Sequence, residues 1–183
     1  MARLPPLPQS ELNERQRAYY AQGWNSRPGD VTGPPRAQML APDLADASLG
    51  LSTYLKKKTS INQRVLQFVM LVCAREWTAQ YVWYAHEKLA LKAGLSQDII
   101  DAVKHGETPR LEREDERTAY QMMRELFDTR KLRDETYKQA VRVFTEAGVL
   151  ELVYVIGFYS LHSMVVNTFE IFPLNGDMPL DEK

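Results

Sequence analysis

Residues 59–103 read TSINQRVLQFVMLVCAREWTAQYVWYAHEKLALKAGLSQDIIDAV. The first half is apolar on nearly every side: Val65, Leu66, Phe68, Val69, Met70, Leu71 and Val72 leave no face for water. A helix of that kind belongs at the centre of a bundle, because a surface helix keeps a polar stripe. Ser60 with Gln63 three residues on spells a capping box, so the spacing predicts a helix over 61–75. A second helix follows over 76–93 and stops at Gly94, and Ser96 caps a short one reaching about residue 104.

Working outward, residues 1–9 are Pro-rich and extended, and Ser10 opens a helix through Gln22 that Gly23 closes. Three glycines and three prolines make 23–35 a loop. Pro34 or Pro35 opens a short helix carrying Arg36, Met39 and Leu40. Pro42 opens another, through Leu44, Leu49, Leu51 and Leu55 to Lys56-Lys57-Lys58. That lysine run reads as a solvated helix end, with an anion or substrate carboxylate site as the minority alternative. On the C-terminal side lie an amphipathic helix, Glu112–Thr129, then Asp134–Ala147 ended by Gly148, then 149–172 stopped by Pro173. No strand alternation appears, so the expected fold is all-α. Residues 1–34 form an N-terminal extension and 35–183 the helical domain.

Composition narrows the function classes. The chain has 183 residues, 44% of them apolar and 26% charged, which suits a single globular domain. A net charge of −1 gives no electrostatic reason to expect nucleic acid or an anionic membrane. The one cysteine, Cys73, has no partner for a disulfide and sits in an apolar run as a buried filler. Met1 to Pro8 lacks the apolar core of a secretory signal, so the expected compartment is cytoplasmic. Leu152–Phe169 carries no Asp, Glu, Lys or Arg. Its His162, Asn167, Ser160, Ser163 and tyrosines favour a core or oligomer helix over a membrane span.

The segment His86-Glu87-Lys88-Leu89-Ala90-Leu91-Lys92-Ala93-Gly94-Leu95-Ser96 resembles the "H…A…AGLS" signature of the carboxymuconolactone decarboxylase-like family. Gly157-Phe158-Tyr159 and Val166-Asn167-Thr168-Phe169-Glu170-Ile171 resemble that family's last core helix. The resemblance covers about residues 35–172. It implies an alkylhydroperoxidase D-like helical bundle that assembles into a homo-oligomer: a dimer, trimer or hexamer. The family's redox branch places a CxxC pair seven and four residues before the histidine and a glutamate further upstream. Here those positions hold Ala79, Val82 and Gln67. Without the thiols, thiol peroxidase (peroxiredoxin-type) chemistry is disfavoured, and an amide at 67 takes no proton at neutral pH. The decarboxylase branch often has a glutamate at the position of Val82, so only His86 carries over.

Around His86, the aromatics Tyr81, Trp83, Tyr84 and Trp77 are candidates to line an apolar pocket for a flat or cyclic ligand. A neutral imidazole there suits acid–base work. The competing reading is a core histidine satisfied by a backbone carbonyl. His162 lies too far from Glu151 to touch it, about 16 Å along the helix axis, but can meet His86 across the bundle. Arg75 and Glu76 read as an ion pair at a helix junction or, alternatively, as a substrate carboxylate clamp and an acid–base group. Arg64 and Arg36 are weaker candidates of the same type, and His105 reads as a helix C-cap. Three scattered histidines do not suggest a metal, and no phosphate loop or cofactor motif is present. The expected activity is that of a cofactor-independent lyase of the decarboxylase or isomerase type, acting on a small cyclic carboxylic acid or lactone as its partner. His86, His162 and Glu76 would be catalytic, and Arg75, Trp83, Tyr84 and Tyr81 would bind substrate. The alternative is a non-catalytic oligomeric binding or scaffold protein on the same fold.

Overall fold

A computed structural model describes residues 3–22, 29–173 and 175–182. The expected stop at Gly23 lies outside the described residues. Among them the elements are helices, and the only strand-like pairing is an isolated antiparallel bridge between Leu7 and Val31.

The central helix is α4 (Gln63–Glu76), in which ten consecutive residues, Val65 to Ala74, are buried. Such a run needs neighbours on every side, and α5 (Gln80–Lys92), α6 (Gln97–Lys104), α7 (Glu114–Thr129) and α8 (Asp134–Thr168) supply them. The cap of α4 is Asn62, whose side chain accepts from the Val65 amide at 3.0 Å. Ser60, expected to cap, is instead held by Glu151, which accepts from its amide (2.9 Å) and hydroxyl (2.7 Å) and from the Tyr54 hydroxyl (2.7 Å). A tertiary carboxylate has outcompeted the local motif.

The helix expected from 76 starts at Gln80, after a turn in which Thr78 takes φ 48°. The buried Gln80 amide clamps the C-terminal tail, donating to the Leu180 carbonyl and accepting from its amide. Gly94, at φ 95°, ends α5 in the left-handed conformation that a glycine adopts without strain. Between α7 and α8, Glu125 accepts from the Arg133 amide (3.0 Å), the Arg133 guanidinium (2.8 Å) and Thr136 (2.7 Å). Burial alone would raise its pKa, but these donors hold it down at about 2.

The long C-terminal helix breaks at Thr145 (φ 66°, ψ 168°) and not at Gly148. The Thr145 hydroxyl accepts from the Gly148 amide at 3.3 Å, so it caps the second half. Gly148 is helical, and the missing Cβ is what matters there: one would lie 2.9 Å from the Phe144 Cβ and 3.4 Å from Ile61. The helix ends at Thr168, short of the expected 172. It is long and apolar enough to cross a membrane, but half of its most apolar window is buried against the bundle, as a core helix requires. Its outer side shows Leu150, Val153, Tyr154, Leu161 and Met164.

The N-terminal segment forms a cap. The helix expected from Ser10 divides into a 3-10 turn (Gln9–Glu11) and α1 (Glu14–Ala21), which starts at an Asn13–Gln16 capping box. With α2 (Gly33–Gln38) and α3 (Pro42–Lys57) it encloses a second small core of Leu12, Tyr19, Tyr20, Val31, Met39 and Ala45.

Two glycine substitutions on α8 test this packing. Gly148→Ala is expected to lose about 1–3 kcal/mol through overpacking. Gly157→Ala, where a Cβ meets nothing within 4 Å, is expected to gain about 0.5–1 kcal/mol from helix propensity. Urea unfolding of both variants measures the contrast, and equal effects would contradict the packing described.

Candidate functional site

Where the cap meets the bundle, a cavity of about 250 Å³ opens, lined by side chains from α1, α2, α3, α5 and α8. His86 of α5 forms part of its wall, and behind the ring stands the bundle's central helix. There the Gln67 side chain, 8% exposed, puts Oε1 2.9 Å from His86 Nδ1. With the amide oxygen facing the ring, Nδ1–H donates and Nε2 keeps its lone pair. Tyr159 of α8 meets His86 edge-on at 5.1 Å between ring centres, and His162 lies one turn further on, 6.1 Å from Tyr159 and 4.5 Å from Phe158. Tyr159 is 3% exposed and its hydroxyl has no hydrogen-bond partner.

The electrostatics follow from enclosure. Burial, then the charge of Lys56, then His162 lower the His86 pKa to about 3. Burial and Lys56 lower that of His162 to about 4. Burial also raises the Tyr159 hydroxyl pKa, which keeps it protonated as a donor. Lys56 is exposed as a residue, yet crowding desolvates its ammonium and, with Lys57 beside it, lowers its pKa. The walls therefore present two neutral imidazoles, three phenols (Tyr19, Tyr81 and Tyr159) and one cation, with no carboxylate among the lining residues.

The structure brings His86, His162 and Tyr81 to this one cavity. It leaves the other candidates elsewhere. Trp83, one residue along from the lining Val82, turns into the core and is 0% exposed, with Nε1 unpartnered. Tyr84 faces solvent at 38% exposure. Arg75 and Glu76 line a separate polar cleft with Arg124 and Tyr120. Glu76 pairs with Arg124 at 3.0 Å, and Arg75 donates to the Asp181 carbonyl at 2.7 Å. Helix geometry explains the separation, since Glu76 stands about 13 Å along the axis from the residue that touches His86. Arg75 and Glu76 thus lie apart from His86, in a different cleft. Arg64 binds Glu116, Arg36 donates to the Pro5 carbonyl, and His105 is the C-cap of α6.

Sequence reasoning gave Lys56 an anion site only as the minority alternative to a solvated helix end, and it missed Tyr159. A signal for Lys56 existed: Ala45, Ser48, Leu49, Ser52 and Lys56 all line the cavity, and their three- and four-residue spacing makes one face of α3. Cys73 is fully buried, with Sγ 3.7 Å from the Ile156 carbonyl and its thiolate disfavoured by burial. Among the described residues no three His, Cys, Asp or Glu side chains converge as metal ligands would.

No protein-family model and no curated protein sequence matches the chain. Solved structures do. An alkylhydroperoxidase AhpD core protein, peroxidase-related, from Ralstonia eutropha JMP134 superposes with a TM-score of 0.78 at 12% identity, covering 98% of this chain and 95% of its own. A peroxidase-related protein from Silicibacter sp. TM1040 gives 0.75 at 11% identity, covering 97% and 95%. The debrominase Bmp8, as a cysteine-to-alanine variant in complex with 2,3,4-tribromopyrrole, gives 0.67 at 16% identity, covering 96% and 92%. The chain thus has the all-α alkylhydroperoxidase D-like fold, which carboxymuconolactone decarboxylase-like proteins share and whose solved members include enzymes.

Two histidines with lowered pKa values make acid stability a test. Between about pH 4 and 6.5 the unfolded chain, with ordinary histidines, binds more protons than the folded one. Stability is therefore expected to be fully present above pH 6.5 and to fall as acid is added, by at most about 1.4 kcal/mol per pH unit for each histidine. His86→Gln and His162→Gln should flatten that slope. Ring NMR should show neither histidine titrating above about pH 5; a midpoint near 6.5 would contradict the enclosure.

Proposed function

We propose that this protein is a cofactor-independent enzyme that moves a proton on a small cyclic carboxylic acid or lactone, with decarboxylation or isomerisation, in the cavity beside His86. The observation that carries the reading is the His86–Gln67 pair, 2.9 Å apart at the wall of the cavity. A glutamate in place of Gln67 would fix Nδ1–H as donor and charge the ring. With the Gln67 amide oxygen accepting from Nδ1–H, Nε2 keeps a lone pair, takes the proton from carbon to form the imidazolium, and returns that proton to carbon.

A conjugate acid near 3 makes His86 a weak base while the cavity is empty. An anionic substrate offsets the Lys56 charge and favours the imidazolium, which moves the ring toward the neutral range where proton transfer is efficient. The Tyr159 ring, edge-on to His86 at 5.1 Å, forms the wall beside the imidazole. His162 extends the wall as a second neutral acceptor. Bmp8, in complex with a tribromopyrrole, supports a flat ring as occupant of this fold. The outward apolar stripe of α8 supports assembly into a homo-oligomer.

Thiol peroxidase activity has no nucleophile here. Ala79 and Val82 occupy the thiol positions implied by the family resemblance, and Cys73 is buried. A non-catalytic binding protein is the second reading, favoured by the neutral amide at Gln67.

The test is turnover of a panel of cyclic carboxylic acids and lactones. His86→Gln is expected to lower kcat/KM by about 10²–10⁴-fold, and Gln67→Glu to raise the His86 pKa by about 1–3 units and shift the pH profile with it. Full activity in His86→Gln would remove the assigned role. Tight binding across the panel with no turnover would favour the binding protein.

A further inference from the structure

The cap of α1–α3 contributes one group to the cavity that differs in kind from all the others. Lys56 is the only formally charged side chain on its walls, and no carboxylate lies within 4 Å of its ammonium among the described residues. Most Arg and Lys side chains at a partly enclosed position are paired or reach open water. Here the nearest company is unhelpful: Lys57 repels the charge, and His86 and His162 both feel it as a cost. Deeper in, Tyr159 stands edge-on to His86 with its hydroxyl sealed from solvent. Lys56 thus meets the cavity as an exposed cation, and the lining residues include no anion to answer it.

Resting on the acid–base reading above, we propose that Lys56 is the specificity-determining residue of this cavity: it recognises the single carboxylate of a ring-sized ligand at the cap, while the ring runs inward toward His86 and Tyr159. Size agrees. An apolar cavity of about 150 Å³ takes up benzene, so about 250 Å³ leaves room for a ring and one carboxylate. Charge count agrees as well: a single ammonium matches a monoanion, whereas a phosphate dianion would meet too few donors to repay its desolvation. Recognition then belongs to the cap and chemistry to the bundle. Lys56 stands on α3 in line with Ser52, whereas His86 and Tyr159 stand on α5 and α8.

The experiment compares benzoate with benzamide, its neutral isostere, by NMR titration of the histidine rings, in the full-length protein and in Lys56→Met, Lys56→Arg and Lys57→Met. Lys56 is exposed, so these variants should fold, and urea unfolding confirms it. Benzoate is expected to bind at least about 10-fold more tightly than benzamide. Lys56→Met should erase that preference, Lys56→Arg should restore much of it, and Lys57→Met should leave it intact. With a turned-over acid, Lys56→Met should raise KM far more than it lowers kcat. Equal binding of benzoate and benzamide, or an unchanged preference in Lys56→Met, overturns the role of Lys56 while leaving the cavity as a ligand site. Inorganic phosphate outcompeting benzoate overturns the monocarboxylate assignment. Ring signals unmoved by either compound overturn the cavity reading and this proposal together.

Discussion

Within the buried run from Val65 to Ala74, the central helix carries one side chain with strong hydrogen-bonding groups, and that side chain needs a partner. Gln67 is only 8% exposed, since the helix is covered by its neighbours. A buried primary amide left without partners costs more than most single packing contacts gain. It finds His86 at 2.9 Å, and the bond fixes both the ring's orientation and the depth at which α5 lies against α4. The cavity then forms in front of His86, because the ring's back is committed to Gln67 and its front has only other rings to meet.

Those rings set the electrical character of the site. His86, Tyr159 and His162 meet edge-on or tilted at centroid separations of 5.1 and 6.1 Å, so none of them fills the space between cap and bundle. With an amide in place of a carboxylate behind His86, nothing compensates a proton on the ring, and burial and the nearby ammonium push in the same direction. The outcome is a site held neutral by its walls and cationic at its rim. Such a site gains from an incoming anion twice: once by direct attraction, and once by making the bases easier to protonate.

The sequence revealed the architecture wherever one dominant force decides it. All-round apolarity marked α4 as the centre, and Gly94 and Pro42 punctuated helices where expected, because burial and backbone freedom at those positions have no rival. It misled where a distant group competes with a local motif. Ser60 looked like a cap until Glu151, remote in sequence, took its hydrogens, and Gly148 looked like a stop when its role is to admit Ile61 and Phe144. The site was half legible for the same reason. His86, His162 and Tyr81 reach the cavity, but Trp83 and Tyr84 differ from Val82 by one and two steps of helical rotation, enough to send one into the core and the other to solvent. Arg75 and Glu76 are adjacent to the right helix junction at the wrong height. Lys56 sits on a cap whose approach to α8 is a tertiary fact, although the stripe of Ala45, Ser48 and Ser52 leading to it was visible. That sequence identities of 11 and 12% accompany close superposition follows from the same physics, since a core asks for apolar volume at the right period rather than for particular residues.

The small side chains on the cavity wall bear on what the space is for. Ala45, Ser48 and Ser52 on α3 face Ala85 on α5 across it. A protein serving only as a scaffold would be more stable with that space filled, since each buried methylene contributes about 0.8 kcal/mol and well-packed interiors leave few voids larger than a water molecule. The chain instead keeps small side chains there, with one cation at the rim, in front of a histidine whose far side is anchored by Gln67.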